Sequence, residues 1–297
     1  MDSLFRDLED ILVKVKNKKK KKVVVVAAED KEILELIKCA TDMNLANFIL
    51  IGDKKKIEKN IKKGFHIEIL DEYDHRKASE KAVELIKTHH AEIIMKGLLH
   101  TSTFLKAVLN KENGLNKGNL ISQISIYNKE YGKGLQLLTD CAIAISPNLN
   151  EKKQIIENAV DLAIKLGYKK PKVALLSALE IINENIPDTL DAAILSKMGE
   201  RGQIKNALID GPFALDNAIS IEAAKYKKIK SKVAGKADIL VVPNLQVGNV
   251  LTKSLTYFAK KDVASAVMGA TTPIIMNSRT DTVKNKLLSI ALACYIS

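Results

Sequence analysis

The chain has 297 residues, and its 47 Lys and Arg residues against 35 Asp and Glu give it a net charge of +12. It contains no Trp and only 4% aromatic residues, and no basic segment alternates with stacking side chains, which argues against a nucleic-acid partner. The lysine runs at residues 18–22 and 54–56 are typical of a solvated surface, whose summed field also attracts small anions.

The three cysteines and five histidines show no metal-ligand spacing. Cys39, Cys141 and Cys294 lie far apart among apolar residues, a pattern typical of reduced core cysteines in a cytosolic protein. The N-terminus carries acids where a signal peptide needs a basic start, and no apolar stretch approaches the roughly 20 residues of a membrane helix. We therefore expect a cytoplasmic protein with no metal site and no membrane partner.

Strands and helices alternate through the first part of the chain. Residues 23–28 form a continuous apolar run rich in Val, which is typical of a strand buried on both faces, and Asp30 can cap the helix after it. In chain order the pattern predicts helix 3–16, strand 23–28, helix 31–43, strand 48–51, helix 54–63, strand 65–70, helix 75–90 and strand 91–95. Such alternation predicts right-handed crossovers and a mostly parallel sheet.

The alternation is interrupted by a β-rich region and resumes near residue 150. Helix 104–110 precedes three predicted strands without helices between them, at 121–127, 135–138 and 142–145. The later pattern predicts helix 151–166, strand 173–176, helix 188–198, strand 207–209, helix 213–226, strand 239–242, helix 249–260, strand 264–268, strand 273–276 and a last helix from residue 283. A domain boundary near residue 126 fits the interruption.

Two turns lie where a strand ends and a helix begins. Residues 96–103 are rich in hydroxyl side chains, and residues 277–281 include Arg279. A helix N-terminus offers unpaired N–H donors and the positive end of the helix dipole, and Arg279 adds a planar donor fork, so both turns suit an anion. The alternative is ordinary capping, by Thr101 or Ser102 in the first turn and by Thr280 or Asp281 in the second.

The sequence contains no signature of a serine-hydrolase elbow, a P-loop, a dinucleotide-binding loop or a zinc protease. It does contain strand-end turns rich in Gly, Ser, Thr, Asp and Arg on a basic α/β chain. This combination favours a cleft enzyme that acts on phosphorylated substrates by positioning and electrostatics. The pattern alone leaves the reaction open.

Six stretches resemble the butyryltransferases of the phosphate acetyl/butyryltransferase family. They are MKGLLHTSTFLKAVLN (95–110), LTDCAIAISPNLNEK (138–152), KVALLSALE (172–180), LDAAILSKMGERGQIKNALIDGPFALDNAIS (190–220), VAGKADILVVPNLQVGNVLTKSLTYFA (233–259) and SRTD (278–281). The similarity runs in order through residues 20–295. The resemblance implies that butyryl-CoA, or a similar short-chain acyl-CoA, and phosphate are converted reversibly to acyl phosphate and CoA.

The resemblance also implies a mechanism and a fold. Thiolate would attack acyl phosphate directly in a ternary complex, with CoA as co-substrate and with no tightly bound cofactor, because acyl phosphate is already activated and thiolate is a strong nucleophile. The family fold is similar to the isocitrate/isopropylmalate dehydrogenases, with two α/β domains, open mostly parallel sheets, flanking helices and a cleft between the domains. This predicts a first domain of residues 1–125 and 266–297, a second of residues 126–265, and a homo-oligomer, dimer or larger.

In that family a Ser-Arg pair faces the reacting centre, which implies that Ser278 and Arg279 are catalytic. The resemblance to the acetyltransferase branch implies that an aspartate six residues after that arginine takes the thiol proton. This chain has Asn285 at that position. Asp281 matches the S-R-x-D form of the butyryl branch and is the base we expect instead. The matching blocks imply as substrate-binding residues Lys96, His100, Thr101, Ser102, Thr103, Asp140, Asp210, Gly211, Gly248 and Asn249. Each of these is alternatively a cap or turn residue.

Other functions stay open at this point. A phosphate acetyltransferase using acetyl-CoA differs only in acyl-chain preference, which depends on pocket volume. A dehydrogenase of the related fold would need clustered metal-binding aspartates, and a CoA- or nucleotide-binding protein without catalysis would not need Arg279.

Overall fold

A computed structural model of the chain describes residues 5–62, 64–116 and 118–297. Contacts between these residues group them into two compact units. The first unit comprises residues 9–119 and 264–297, and the second unit comprises residues 5–8 and 120–263. The predicted domain boundaries at 125/126 and 265/266, and the cleft between domains, stay predictions.

The first unit begins with βα repeats. Strand β1, Lys22–Val26, is buried along Val23 to Val26, as a β-branched run covered on both faces predicts. The other elements of this segment are α1 Glu9–Lys16, α2 Lys31–Asp42, β2 Asn47–Gly52, α3 Lys54–Asn60, β3 Glu68–Asp71, α4 His75–Lys87, β4 Ile93–Lys96 and α5 Thr101–Val108. Asp30 caps α2 as predicted, since its Oδ1 accepts a hydrogen bond from the Ile33 N–H at 3.1 Å.

Some predicted bounds in this segment differ from the structure. Helix 3–16 begins at Glu9, and residues 3 and 4 of the prediction lie outside the described residues, as does residue 63 of helix 54–63. Cys39 is exposed on α2, so the expectation that all three cysteines lie in the core is wrong for this one, whereas Cys141 and Cys294 are buried.

The second unit is also α/β. Its elements are β5 Ser122–Asn128, β6 Leu135–Thr139, α6 Leu149–Lys165, β7 Lys172–Leu176, α7 Pro187–Glu200, β8 Leu208–Phe213, α8 Leu215–Ile219, α9 Ile221–Tyr226, β9 Ile239–Val241 and α10 Leu245–Tyr257. The strand order is β5-β6-β9-β7-β8, with β5 antiparallel to β6 and the other pairs parallel. A core that includes Leu138, Phe213 and Leu240 lies between this sheet and its helices.

Two predictions in the second unit are wrong. Residues 142–145 form bends and not a strand, because the carboxylate of Asp140 accepts hydrogen bonds from the N–H groups of three residues in this segment and curls the backbone around itself. The predicted helix 213–226 is the end of β8 followed by α8 and α9, which are separated at Ser220, whose side chain caps α9.

The chain returns to the first unit through β10 Ala264–Met268, β11 Ile274–Ile275 and α11 Val283–Ile296. The strand order there is β3-β2-β1-β4-β11-β10, and only β10 is antiparallel to its neighbour. β1 and β4 are adjacent although the chain leaves β1 towards β2 on the other side. The strand order therefore reverses between β1 and β4, which is where open α/β sheets bind ligands, beyond the carboxyl ends of the strands.

The mostly parallel sheets with flanking helices confirm the predicted α/β class. None of the helices in the described part of the chain combines the length and the apolar character needed to cross a membrane.

Candidate active site

A pocket of about 330 Å³ lies in the first unit, beyond the carboxyl ends of β4 and β11. The strand pairing explains its position, because Ile94 and Met95 of β4 lie opposite Ile274 and Ile275 of β11 in a parallel ladder. The segments that follow the two strands therefore leave the same edge of the sheet. The residues that line the pocket are Asp30, Glu32, Ile33, Leu36, Met95, Lys96, Gly97, Leu98, Asn277, Ser278, Arg279, Thr280 and Lys286.

The segment after β11 forms a turn before it enters α11. The Asp281 N–H donates to the Ser278 carbonyl at 3.2 Å, and Asp281 Oδ2 accepts from the Ser278 N–H at 2.8 Å. The predicted cap of the last helix is wrong, because Thr282 caps α11 by accepting from the Asn285 N–H at 3.1 Å. Ser278 and Arg279 thus lie in the turn and not in the first helical turn.

A buried serine anchors this turn to α11. Ser289 Oγ donates to the Asn285 carbonyl at 2.9 Å and accepts from the Ser265 N–H at 2.9 Å and from Asn277 Nδ2 at 3.0 Å. Since the single hydroxyl proton is used on the Asn285 carbonyl, Asn277 must present its amide N–H₂ to Ser289. The residue before Ser278 is therefore held by the helix that follows the turn.

Lys96 brings a partly buried cation to the pocket from the end of β4. Its Nζ donates to the carbonyls of Gly97 and Leu99, both at 3.2 Å. Burial lowers the pKa of Lys96, and the positive charge of Arg279 lowers it further. Neither Lys96 nor Arg279 forms an ion pair with a carboxylate in the described residues. An anion bound here would relieve the repulsion between the two cations.

The backbone next to Lys96 lies unusually close to β1. A Cβ atom at Gly97 would lie 2.3 Å from the Ala27 carbonyl oxygen and 2.4 Å from that of Val26. Only glycine permits this approach, which places the end of β4 against the end of β1 and fixes the direction in which the 96–99 segment leaves the sheet.

The pocket also has an apolar part. Ile33 and Leu36 come from α2, and Met95 and Leu98 come from the end of β4 and the segment after it. Ile33 is half-buried and Leu98 is 37% exposed, so these two present apolar surface to a ligand. The same pocket thus combines cations with a short apolar wall.

The structure separates Lys96 from the other residues predicted in segment 96–103. His100, Thr101 and Ser102 do not line the pocket, and His100 occupies the N-cap position of α5 without a side-chain hydrogen bond, so the predicted capping by Thr101 or Ser102 is wrong. Thr103 instead lines a groove of about 680 Å³ between α4 and α5.

Asp140 and Gly248, in the second unit, lie against each other. The buried carboxylate of Asp140 accepts from the backbone N–H groups of Gln123, Ala142, Ile143 and Ala144, at 2.9–3.2 Å. Burial raises the pKa of Asp140, and these hydrogen bonds oppose that effect. A Cβ atom at Gly248 would lie 2.1 Å from the Asp140 carbonyl oxygen. In this structure both residues are used in packing α10 against the 140–144 loop.

The remaining residues of the second unit that were predicted to bind substrate are Asp210, Gly211 and Asn249. Asp210 accepts from the Ser231 hydroxyl and, at 2.9 Å, from the Gly211 N–H. Gly211 has φ +155°, and a Cβ atom there would lie 2.7 Å from the Leu175 carbonyl oxygen. Asn249 is exposed on α10.

Sequence reasoning missed Lys286 and the apolar side chains of α2. The position of α2 in the sequence could have indicated these side chains, because α2 follows the carboxyl end of β1 and ligands bind at such ends. Lys286 lies in the first turn of a helix preceded by a predicted anion site, which is also a readable pattern. Residues 5–62, 64–116 and 118–297 contain no group of three or more His, Cys, Asp or Glu side chains placed to hold a metal ion.

Comparisons with known proteins agree with these observations. The family model described as "Phosphate acetyl/butaryl transferase" matches residues 57–294. The chain is 44% identical to a phosphate butyryltransferase of Clostridium beijerinckii over 296 residues, covering 98% of both chains.

Solved structures with a similar fold include a phosphotransacylase. A branched-chain phosphotransacylase from Enterococcus faecalis V583 superposes with a TM-score of 0.84 at 33% identity, over 93% of this chain and 98% of that one. A 4-hydroxythreonine-4-phosphate dehydrogenase from Klebsiella pneumoniae shares the fold alone, with a TM-score of 0.57 at 12% identity over 94% of this chain and 99% of that one. The predicted likeness to a dehydrogenase fold is confirmed in this form. Because the family model covers most of the chain and the Clostridium relative covers nearly all of it, this chain belongs to the phosphate acetyl/butaryl transferase family.

Proposed function

We propose that this protein converts butyryl-CoA, or a similar short-chain acyl-CoA, and phosphate to acyl phosphate and CoA, reversibly. The observation that carries the proposal is the pocket in which Lys96, Ser278 and Arg279 meet, with no ion pair to either cation in the described residues. The name of the Clostridium beijerinckii relative supports the same reaction.

In this proposal the cationic part of the pocket holds phosphate. Arg279 offers a planar donor fork that matches two phosphate oxygens, and Lys96 adds a point charge from the neighbouring strand. Lys96 is partly buried, where electrostatic attraction is stronger than in water, whereas Arg279 is exposed and so free to reach a bound phosphate. Phosphate is therefore oriented and charge on it is stabilised.

The chemical step is direct transfer. Towards CoA, the thiolate attacks the acyl carbonyl carbon, the C–S bond forms, and the bond from that carbon to the phosphate oxygen breaks. Arg279 stabilises the negative charge on the departing phosphate. The Ser278 hydroxyl lies 3.0 Å from the Thr280 hydroxyl and can donate to the carbonyl oxygen when Thr280 donates to it. Towards acyl phosphate the same atoms move in reverse, and CoA leaves as the thiolate.

The thiol proton needs an acceptor, and Asp281 is the base that we propose, although it follows the pocket-lining Thr280 and does not itself line the pocket. Its Oδ2 accepts the Ser278 N–H, while its remaining lone pairs could accept a proton. The same hydrogen bond supports a structural role for Asp281, so the two roles need separation by experiment.

The apolar part of the pocket supports a short acyl chain as substrate. Ile33 and Leu98 would contact the chain while the cations hold the phosphate, so an acyl phosphate matches the pocket at both ends. Acetyl and butyryl groups differ by two methylenes in contact with this wall. A phosphate acetyltransferase is accordingly the alternative within the same family. A cytoplasmic location and a homo-oligomer, dimer or larger, stay predictions.

The test is CoA release from butyryl-CoA and from acetyl-CoA by the purified protein, with and without phosphate. We expect release that depends on phosphate, favours butyryl-CoA, and persists in the presence of a metal chelator. Faster release from acetyl-CoA would select the acetyltransferase alternative. Release at the same rate without phosphate would indicate a thioesterase, and reduction of a nicotinamide cofactor with no CoA release would indicate a dehydrogenase; either would overturn the proposal.

A further inference from the structure

We infer that Lys286 is a third phosphate-binding cation of this pocket and also holds Arg279 in place. The inference rests on the proposed function and assigns a role to a residue that the sequence resemblance does not single out. Lys286 lies in the first turn of α11, and its side chain lines the pocket together with Lys96 and Arg279.

Lys286 contacts the turn that carries Arg279. Its Nζ donates a hydrogen bond to the Arg279 carbonyl oxygen at 3.3 Å. This contact crosses from the helix back to the turn, so it restrains the backbone from which the Arg279 side chain extends. A lysine whose only role was surface solvation would not need to reach back over the turn.

The same ammonium group keeps donors for a ligand. An ammonium group has three N–H donors, and the Arg279 carbonyl accepts one of them. Lys286 forms no ion pair with a carboxylate in the described part of the chain, and it is half-buried. Lys286 therefore has two remaining donors and no ion-pair partner, although Asp30 and Glu32 also line the pocket, and phosphate oxygens can accept both donors.

A neighbouring lysine provides a matched control. Lys284 lies in the same turn of α11 but does not line the pocket, and its Nζ pairs with Glu9 Oε1 at 2.6 Å. Lys284 and Lys286 thus share helix position and charge and differ in where the charge points. A general effect of net charge would appear equally in variants of both.

The experiment compares Lys286→Gln, Lys286→Arg and Lys284→Gln with the parent enzyme in the phosphate-dependent assay. Loss of a charge-assisted contact should raise KM for phosphate about tenfold to a hundredfold in Lys286→Gln, while KM for butyryl-CoA changes little. Lys286→Arg should restore much of the phosphate affinity. Equal KM shifts for phosphate and butyryl-CoA, or equal effects in Lys284→Gln, would overturn the inference.

Binding of inorganic phosphate, measured by calorimetry with the same variants, separates this inference from the proposed function. Weaker phosphate binding in Lys286→Gln than in Lys284→Gln supports the assignment even if no acyl transfer is detected. Equal phosphate affinity in the parent protein and Lys286→Gln overturns it even if the enzyme is active. Thermal unfolding of each variant shows whether a change in affinity reflects loss of fold.

Discussion

The carboxylate of Asp281 accepts a hydrogen bond from the backbone N–H of Ser278, with 2.8 Å between Oδ2 and the nitrogen. The residue proposed to take the thiol proton therefore closes the turn that presents Ser278 and Arg279. A change at Asp281 can affect proton transfer, turn geometry or both, and the choice of substitution decides which is measured.

Asp281→Asn separates these roles, because the amide oxygen of Asn can still accept the Ser278 N–H. If Asp281 is the base, turnover should fall about 10²–10⁴-fold, and the deficit should shrink as pH rises towards the thiol pKa, where solvent supplies the thiolate. Rate–pH profiles of both enzymes check this. Near-normal turnover at neutral pH would leave Asp281 with the turn alone, and His100, exposed at the start of α5, would be tested next.

Thr282→Ala is the structural control for that experiment. It removes the cap of α11, so it should lower the free energy of unfolding by about 1 kcal/mol without a pH-dependent rate deficit. Chemical denaturation measures the first effect and the rate–pH profile the second.

Arg279→Gln should reduce turnover about 10²–10³-fold, the usual cost of losing one preorganised donor at a developing charge. Arg279→Lys keeps the charge but loses the fork, so most of the deficit should persist. Steady-state turnover with saturating substrates measures both. Arg76→Lys is the control, because Arg76 lies on α4, pairs with Glu80 and is outside the pocket. Normal turnover in Arg279→Gln would remove Arg279 from catalysis.

The lowered pKa of Lys96 predicts that phosphate binding weakens at alkaline pH. Its lowered pKa means that Lys96 loses its proton at a lower pH than an ordinary lysine. As pH rises through that pKa the charge disappears, so KM for phosphate should rise on the alkaline side. In Lys96→Arg the charge persists, and the rise should be absent or shifted to higher pH. Identical KM–pH profiles for the two enzymes would show that Lys96 does not bind phosphate.

The lowered pKa of Lys96 also predicts a direction for stability. A lysine whose pKa is lower in the folded state than in the unfolded state destabilises the fold while it is charged, below the folded-state pKa. This cost decreases as pH rises from the folded-state pKa towards the higher unfolded-state pKa, and it is absent above the unfolded-state pKa. Bound phosphate should reduce it at neutral pH, since a nearby anion favours the charged lysine.

Ile33→Phe should shift acyl-chain preference towards acetyl-CoA by filling space beside the apolar wall. One methylene in an apolar pocket typically changes discrimination about 10–200-fold, so kcat/KM for butyryl-CoA relative to acetyl-CoA should fall at least tenfold. The control is Val13→Phe, on the exposed side of α1. An unchanged ratio would place the acyl chain away from Ile33.

Gly248→Ala should destabilise the protein by about 1–3 kcal/mol, the range for overpacking, because the added Cβ would meet the Asp140 carbonyl oxygen. Asn249→Ala, in the next position and exposed, should leave the free energy of unfolding nearly unchanged. Thermal unfolding measures both. If Gly248→Ala were as stable as the parent protein, the contact with Asp140 would not explain this glycine.

The residues by themselves determined the local elements at the site. The β-branched run of β1, the cap at Asp30 and the strand-to-helix turns at residues 96–103 and 277–281 follow from preferences of neighbouring residues, and each could be predicted without knowing what packs against it. The resemblance placed Ser278 and Arg279 together for the same reason, because they are adjacent in the chain. The local pattern did not distinguish Thr282 from Thr280 or Asp281 as the cap of α11, since all three side chains can accept a backbone N–H.

Tertiary structure alone decided which of these local features meet. Lys96 and Arg279 share a pocket because β4 pairs with β11, a contact between distant segments that depends on burying both strands in one sheet. The same kind of long-range packing turned the Asp140 carboxylate to the backbone of its own loop. Likewise the surrounding chain, and no local preference, brought Lys286 over the turn, since a lysine in the first turn of a helix is equally free to face solvent until neighbouring segments define a pocket beside it.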